Sequence, residues 1–258
     1  GLDDICTQSI NGSGCNSKYG LLGSNRSTEE RVKLFPRTGE ELVNRIQQIN
    51  LSTYRIHQET FPQFKRRHLG DSIVILATGK TAADYEPIKD AVHIGVNRAF
   101  EIAKSKGIVL DYAFIQDFSG KTPEYINELD LYEPSKCTKF YGLTAEYSQD
   151  KNRVIPESHA VKAGALRYRT DWAPIPYFEP QFAYDIASQP LACFGTIVFP
   201  ALQFALWTCP EKIYLVGCDC TTEGYAYNSN YKNDIKTKLY LPIESLKYLQ
   251  TDIIQILK

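Results

Sequence analysis

Methionine is absent from this chain of 258 residues, tryptophan occurs twice and histidine four times. Long apolar runs are missing too. None approaches the ~18 residues that a membrane-spanning helix needs, so no transmembrane segment is expected. The amino terminus has no basic stretch followed by an apolar block, so no signal peptide is expected. Neither sign of charge dominates, because 29 Lys and Arg stand against 30 Asp and Glu, a net charge of −1. That balance excludes the broad basic face of a nucleic-acid-binding protein, and the run Lys65-Arg66-Arg67 reads as solvated surface. Seven cysteines, an odd number, read as reduced thiols of a cytoplasmic protein. Cys218-Asp219-Cys220 has no second Cys or His pair at ligand spacing. It reads as small residues at a strand end, and no metal site is expected.

What the chain does have is alternation. Residues 1–30 are rich in Gly, Ser, Asn and Thr and read as an irregular arm. Leu42, Val43, Ile46 and Ile49 recur at helical spacing, and Thr38 with Glu41 forms a capping box, so a helix is expected over 38–50. A second is expected over 54–67. From Ser72 the pattern changes to Ile73-Val74-Ile75-Leu76-Ala77, a continuous run that must be buried on both faces, as in a parallel sheet. Further strands are expected at 92–96, 112–117, 139–142 and 212–217, and helices at 98–106, 122–129, 196–208 and 243–257. Residues 150–190 read as loop-rich. Strands alternating with helices predict an α/β protein: a Rossmann-like, mostly parallel sheet flanked by helices, with an N-terminal irregular and helical arm. The expected division is an arm and helices over 1–70 and a nucleotide-binding domain over 71–258.

Ligands of open α/β sheets bind outside the carboxyl ends of the strands. Four such ends carry polar groups here: Thr78-Gly79-Lys80-Thr81, Asn97-Arg98, Gln116-Asp117, and the run from Cys218 to Tyr225 that includes Asp219 and Thr221. Gly79-Lys80-Thr81 is not a P-loop, since Val74 stands where that motif needs its first glycine. A glycine after a strand can still leave backbone N–H groups for a phosphate, against the plainer reading of a strand-to-loop glycine. Asn97 suits a base, ribose or phosphate, or caps the next helix. Asp117 serves as a general base, a sugar-hydroxyl acceptor or an N-cap. Asp219 either meets ligand or only orients its loop. Tyr225 and Tyr227 offer phenols to a phosphate, or simply pack on the surface. The polar stretch 228–240 reads as a lid, or as a solvated connection.

At these residues the sequence resembles a group of bacterial and archaeal proteins associated with surface-glycan loci. That group shares its fold with glycosyltransferase family forty-two, the lipooligosaccharide sialyltransferases, and includes hydroxymethylpterin diphosphokinase-like proteins. The resemblance covers about residues 71–250. It rests on Ile75 to Thr81 and on Ile94-Gly95-Val96-Asn97-Arg98. Its most specific part is Gly195 and Ala201 to Leu206, then Lys212-Ile213-Tyr214-Leu215-Val216-Gly217-Cys218-Asp219, a helix followed by a strand end. Tyr225-Ala226-Tyr227 resembles the tyrosine loop of the sialyltransferases, and Thr196, beside Gly195, stands with the ligand-contact candidates. The resemblance implies that the glycine turn and Asn97 meet the nucleotide, and that the tyrosines meet the phosphate of a cytidine-monophosphate donor. Two features depart from the pattern. The turn reads Gly79-Lys80-Thr81 in place of Gly-Pro-Ser. None of His57, His68, His93 and His159 follows Tyr225, where the sialyltransferases keep their catalytic base, so Asp117 and His159 stand as the candidates for that role.

The resemblance therefore implies a glycosyltransferase moving a sugar from a nucleotide donor to a glycan acceptor in surface-glycan synthesis. No cofactor is expected beyond that donor. No Asp-x-Asp pair occurs, so the expectation is a metal-independent mechanism. The lack of a spanning segment leaves peripheral membrane contact and oligomerisation open. A pterin-type diphosphokinase, which would need Mg²⁺, and a non-catalytic nucleotide-binding protein are the alternatives.

Overall fold

The computed structural model describes residues 39–118, 121–143, 151–170, 182–193, 196–219, 225–226 and 253–257. Helix α1 (Gly39–Thr60) leads into a 3-10 turn (Pro62–Phe64). Then follow β1 (Ser72–Leu76), β2 (Val92–Val96), α2 (Ala99–Ser105), β3 (Tyr112–Ile115), α3 (Pro123–Leu131) and β4 (Thr138–Gly142). Helix α4 (Glu157–Lys162), β5 (Leu166–Tyr168), α5 (Val198–Trp207), β6 (Lys212–Val216) and β7 (Ile254–Leu257) complete the order. The strands form one seven-stranded sheet in the order β5-β4-β3-β2-β1-β6-β7. Every pairing is parallel. This is the α/β, Rossmann-like arrangement that the alternating pattern implies.

The period of two explains why β1 is apolar throughout. Ile73 and Ile75 enter one core, Val74 and Leu76 enter the other, and all four are fully buried. The first core lies under α5, where Phe204 packs on Tyr112 and Phe114 of β3 and Phe140 of β4, and Phe199, Leu202, Ile213 and Leu215 belong to the same cluster. The second lies under α2 and α3, through Phe100, Ile102, Tyr125 and Leu129. Gly95 in β2 gives Leu110 room, since a Cβ there would lie 2.4 Å from Leu110 Cδ1. Phe61 and Phe64, beyond the end of α1, pack against Phe140 and Phe204 in the first core, with Phe61 stacked on Phe140 and Phe64 edge-on to both.

Four expectations about the elements change. The two helices expected over 38–50 and 54–67 are one helix ending at Thr60, because 51–53 contains neither glycine nor proline to break it. Val43, one of the apolar residues at helical spacing, is 52% exposed, while Thr53, His57 and Thr60 are buried. Within the segment read as loop-rich, α4 and β5 form, and Ala160 and Tyr168 pack into the two cores. Of the final helix expected over 243–257, residues 254–257 form a strand paired along the edge of β6, and 243–252 lie outside the described residues. A free strand edge with unpaired N–H and C=O groups overrides the helical spacing there. Thr38 and the lid-like stretch 228–240 lie outside the described residues. Among the described residues, no helix is long and apolar enough to cross a membrane.

Candidate functional site

Between β1 and β6 the chain order reverses: β2 to β5 lie on one side of β1, and β6 and β7 on the other. Such a switch point opens a crevice at the carboxyl ends of the two strands. Here the crevice floor is made by two glycines. Gly79 N donates to Gly217 O at 2.8 Å, and Ala77 N to Val216 O at 2.8 Å. A Cβ on Gly79 would fall 2.4 Å from Gly217 O and 2.6 Å from Asp219 Oδ2. Gly217 turns in the left-handed region with φ +67°, and a Cβ on it would meet Ala77 O at 2.8 Å. Both glycines are thus required by the approach of one strand end to the other.

The turn after β1 is already filled by protein groups. Thr81 N donates to Asp219 Oδ2 at 2.9 Å, and the Thr81 hydroxyl donates to Asp219 Oδ1. Ala82 N donates to Gly79 O at 3.0 Å, forming a 3-10 turn over Lys80–Ala83. Two of the N–H groups that the sequence suggested for a phosphate, those of Gly79 and Thr81, are therefore bonded to Gly217 O and to Asp219. Of the two readings of Asp219, loop orientation describes these bonds. On the outer side, Tyr225 pairs with Gly79 as an antiparallel bridge, and Ala226 N donates to Thr78 O at 3.0 Å. Lys80 is exposed, and Thr78, Thr81 and Tyr225 are half-buried. Thr78, Gly79, Lys80, Thr81, Asp219 and Tyr225 are thus brought together.

Asn97 continues the ladder of β2, donating its N–H to Phe114 O at 3.0 Å. Its φ of +50° is a conformation asparagine tolerates better than most residues. The N-cap position of α2 belongs to Arg98, not to Asn97, so the capping role considered for Asn97 does not hold. Arg98 folds back on α2, its Nε donating to Glu101 Oε1 at 2.8 Å with the guanidinium over the Tyr125 ring.

The β3 end joins two further segments. Cys193 Sγ donates to Gln116 Oε1 at 3.2 Å, and Thr196 N donates to Cys193 O at 2.9 Å just ahead of α5. Gln116 and Thr196 are thereby drawn to the same strand end. Asp117 is buried and accepts from Arg153 Nη2 at 2.6 Å through Oδ2, while its Oδ1 lies 3.9 Å from Lys121 Nζ. The 3-10 turn Lys151–Arg153 is held there by Phe118 N donating to Arg153 O at 2.9 Å. Burial pushes the Lys121 ammonium below its usual range; Asp117 opposes this, and the charges of Arg153 and Arg98 add to it.

His159 stands apart. It lies on α4 beside β4, with Nε2 2.7 Å from Asp130 Oδ2 and the Phe118 ring edge-on to it. Asp130 also accepts from the Tyr141 hydroxyl at 2.7 Å, and its carbonyl accepts from Lys139 Nζ at 2.5 Å. β4 is three strands from β1, roughly 14 Å at the usual spacing. Gly195, Thr221 and Tyr227 lie outside the described residues. The residues that sequence reasoning passed over are Lys121 and Arg153. Lys121 sits four residues after Asp117, a weak local signal, whereas Arg153 comes from a distant loop with none.

No family model matches this chain, and no curated protein matches it. Among solved structures it is similar to the thiamine pyrophosphokinase from Bacillus subtilis, at 18% identity and a TM-score of 0.38, over 72% of this chain and 60% of that one. It is also similar to the MAf glycosyltransferase from Magnetospirillum magneticum AMB-1, at 15% identity and a TM-score of 0.40, over 68% of this chain and 28% of that one. The chain thus spans under two thirds of the length of either structure.

Proposed function

We propose that this protein binds a nucleotide sugar in the crevice at the β1–β6 switch point and transfers the sugar to a glycan acceptor. The observation that carries the reading is the convergence of polar groups from four adjacent strand ends, those of β6, β1, β2 and β3, on one side of the sheet. The nucleotide would lie across Asn97 and the Gly79 turn. Because Asp219 occupies the Thr81 amide, the phosphate would be met by the Lys80 ammonium and the Tyr225 hydroxyl instead of a bare backbone cradle. These groups would stabilise the departing phosphate. Asp117 is the base candidate nearest the crevice; His159 would need to leave Asp130 to act. A metal-independent displacement, with a cytidine-linked donor and surface-glycan synthesis as its setting, follows from the sequence resemblance and is part of the same proposal.

One observation favours a second reading, a non-catalytic nucleotide-binding protein. Both acid–base candidates already face a charged partner, Asp117 with Arg153 and His159 with Asp130. Thermal-shift titration with cytidine, uridine and guanosine nucleotide sugars, with and without Mg²⁺, tests the proposal. A shift with a nucleotide sugar in the absence of Mg²⁺ supports it. A requirement for both ATP and Mg²⁺ would redirect it to a diphosphokinase, and no shift with any nucleotide would sink it. A shift without transfer or hydrolysis of the donor would select the non-catalytic reading.

A further inference from the structure

A second concave site lies at the opposite end of the sheet from the crevice. Residues of three segments remote in sequence, 63–67, 134–138 and 164–166, line a cavity of about 280 Å³. Thr138 begins β4 and Leu166 begins β5, so the cavity opens at the amino ends of these strands. A strand of this length spans roughly 16 Å, and β4 stands three strands from β1, so one small molecule cannot occupy both places. The size is close to the ~300 Å³ at which small-molecule sites begin. Arg67 and Lys136 line the cavity, and no carboxylate does. The run Lys65-Arg66-Arg67 thus divides. Arg66 turns with φ +59°, Lys65 lies over the Trp207 ring, and Arg67 lies over the Phe64 ring, 5.6 Å from its centre. Among the described residues, the Arg67 guanidinium has no hydrogen-bond or ion-pair partner, nor do the hydroxyls of Ser135 and Thr138, which also line the cavity. Lys136 meets Glu133 at 3.5 Å, but both side chains are on the surface, 64% and 37% exposed, and such a pair is weak. Burial pushes the Cys137 thiol up to about 12, so it stays neutral and adds no negative charge to the wall.

We propose that this cavity is a second ligand site, for a small hydroxylated molecule carrying one oxyanion, a phosphate ester or a carboxylate. The Arg67 fork suits paired oxygens, and the Lys136 ammonium supplies a second positive charge. Ser135 and Thr138 both donate and accept, which suits the hydroxyls of the ligand body, and Phe64 and Leu166 offer it an apolar wall. A ligand there would tie the 63–67 turn to the starts of β4 and β5 without touching the crevice, which is the position of an effector and not of a substrate. The inference does not depend on the reading of the crevice.

The test is calorimetric titration of the whole chain with glycerol phosphate and, separately, with glycerate, each against chloride at matched ionic strength. The two probes share a short hydroxylated body and differ in the oxyanion, so the tighter one names the ligand class. Arg67→Gln and Lys136→Gln should each weaken saturable binding roughly tenfold through one lost charge-assisted contact. Ser135→Trp keeps both cations and should abolish binding by filling the cavity. Lys104→Gln, an exposed cation on α2, should bind as the wild type does. Should Arg67→Gln fail to fold, Lys136→Gln and Ser135→Trp decide the matter. No saturable binding of either probe overturns the site, as does equal binding in wild type and the three cavity variants, or a loss as large in Lys104→Gln. A nucleotide sugar should leave probe binding unchanged; displacement of the probe would put the anion in the crevice and overturn the second site.

Discussion

Asp219 and Asp117 each follow a strand of the same sheet by a few residues, and their surroundings are opposite. Asp219 meets neutral donors, the Thr81 amide and hydroxyl, and its bonds close a turn. Asp117 meets a guanidinium and an ammonium. One carboxylate closes a turn at the end of β1, while the other faces a guanidinium and an ammonium brought from other segments. A polar residue after an apolar strand therefore has no single meaning. Its role depends on which segment the fold lays beside it.

The comparison breaks most severely at the glycine floor. Gly79→Val should destabilise the protein by about 3 kcal/mol or more in chemical denaturation, since its Cβ would lie 2.4 Å from Gly217 O, a backbone atom that cannot step aside. A loss under ~1 kcal/mol would show that the two strand ends can separate.

The two aspartates should then part company. Asp117→Ala removes the carboxylate that Arg153 and Lys121 face and should cost about 2–3 kcal/mol, after discounting for the partial exposure of Arg153. Asp219→Ala should cost about 1–2 kcal/mol, because the groups it leaves behind are neutral. Equal losses in both variants, measured by chemical denaturation, would erase the distinction.

A pH effect should touch both ends alike. His57 is wholly buried: its Nδ1 donates to Ile186 O at 2.7 Å and its Nε2 accepts from Arg169 N at 2.8 Å. Burial lowers its pKa from 6.5 to about 4. The unfolded chain then binds this proton at higher pH than the folded one. Stability is present above pH ~6.5 and is lost as pH falls toward about 4, by about 1.4 kcal/mol per unit. In His57→Gln the slope in that window should shrink by about this amount; an unchanged slope would mean that His57 is not the group responsible. The smallest effect is expected of Tyr225→Phe, which should weaken nucleotide-sugar binding roughly fivefold through one lost hydroxyl contact, with unchanged affinity removing Tyr225 from the site.

Much of the frame was legible before any coordinates. The runs at β1, β3 and β6 are apolar on both faces, which only a sheet covered on both sides allows, and the polar residues after them mark the carboxyl ends. The same local signal failed for β7, where helical spacing stood over residues that pair with β6, and for α4 and β5, whose burial comes from contacts made far along the chain. Glycine at 79 was legible as a special position, but the reason for it was not, since the atom it must approach is Gly217 O.

What the sequence by itself determined is a parallel α/β sheet and the end of it where polar groups gather, because periodicity and burial on both faces are local properties of the chain. Tertiary structure alone decided that Asp219 closes a turn and that Asp117 faces Lys121 and Arg153. Electrostatic surroundings are set by distance in space, and Arg153 reaches Asp117 across 36 residues of chain.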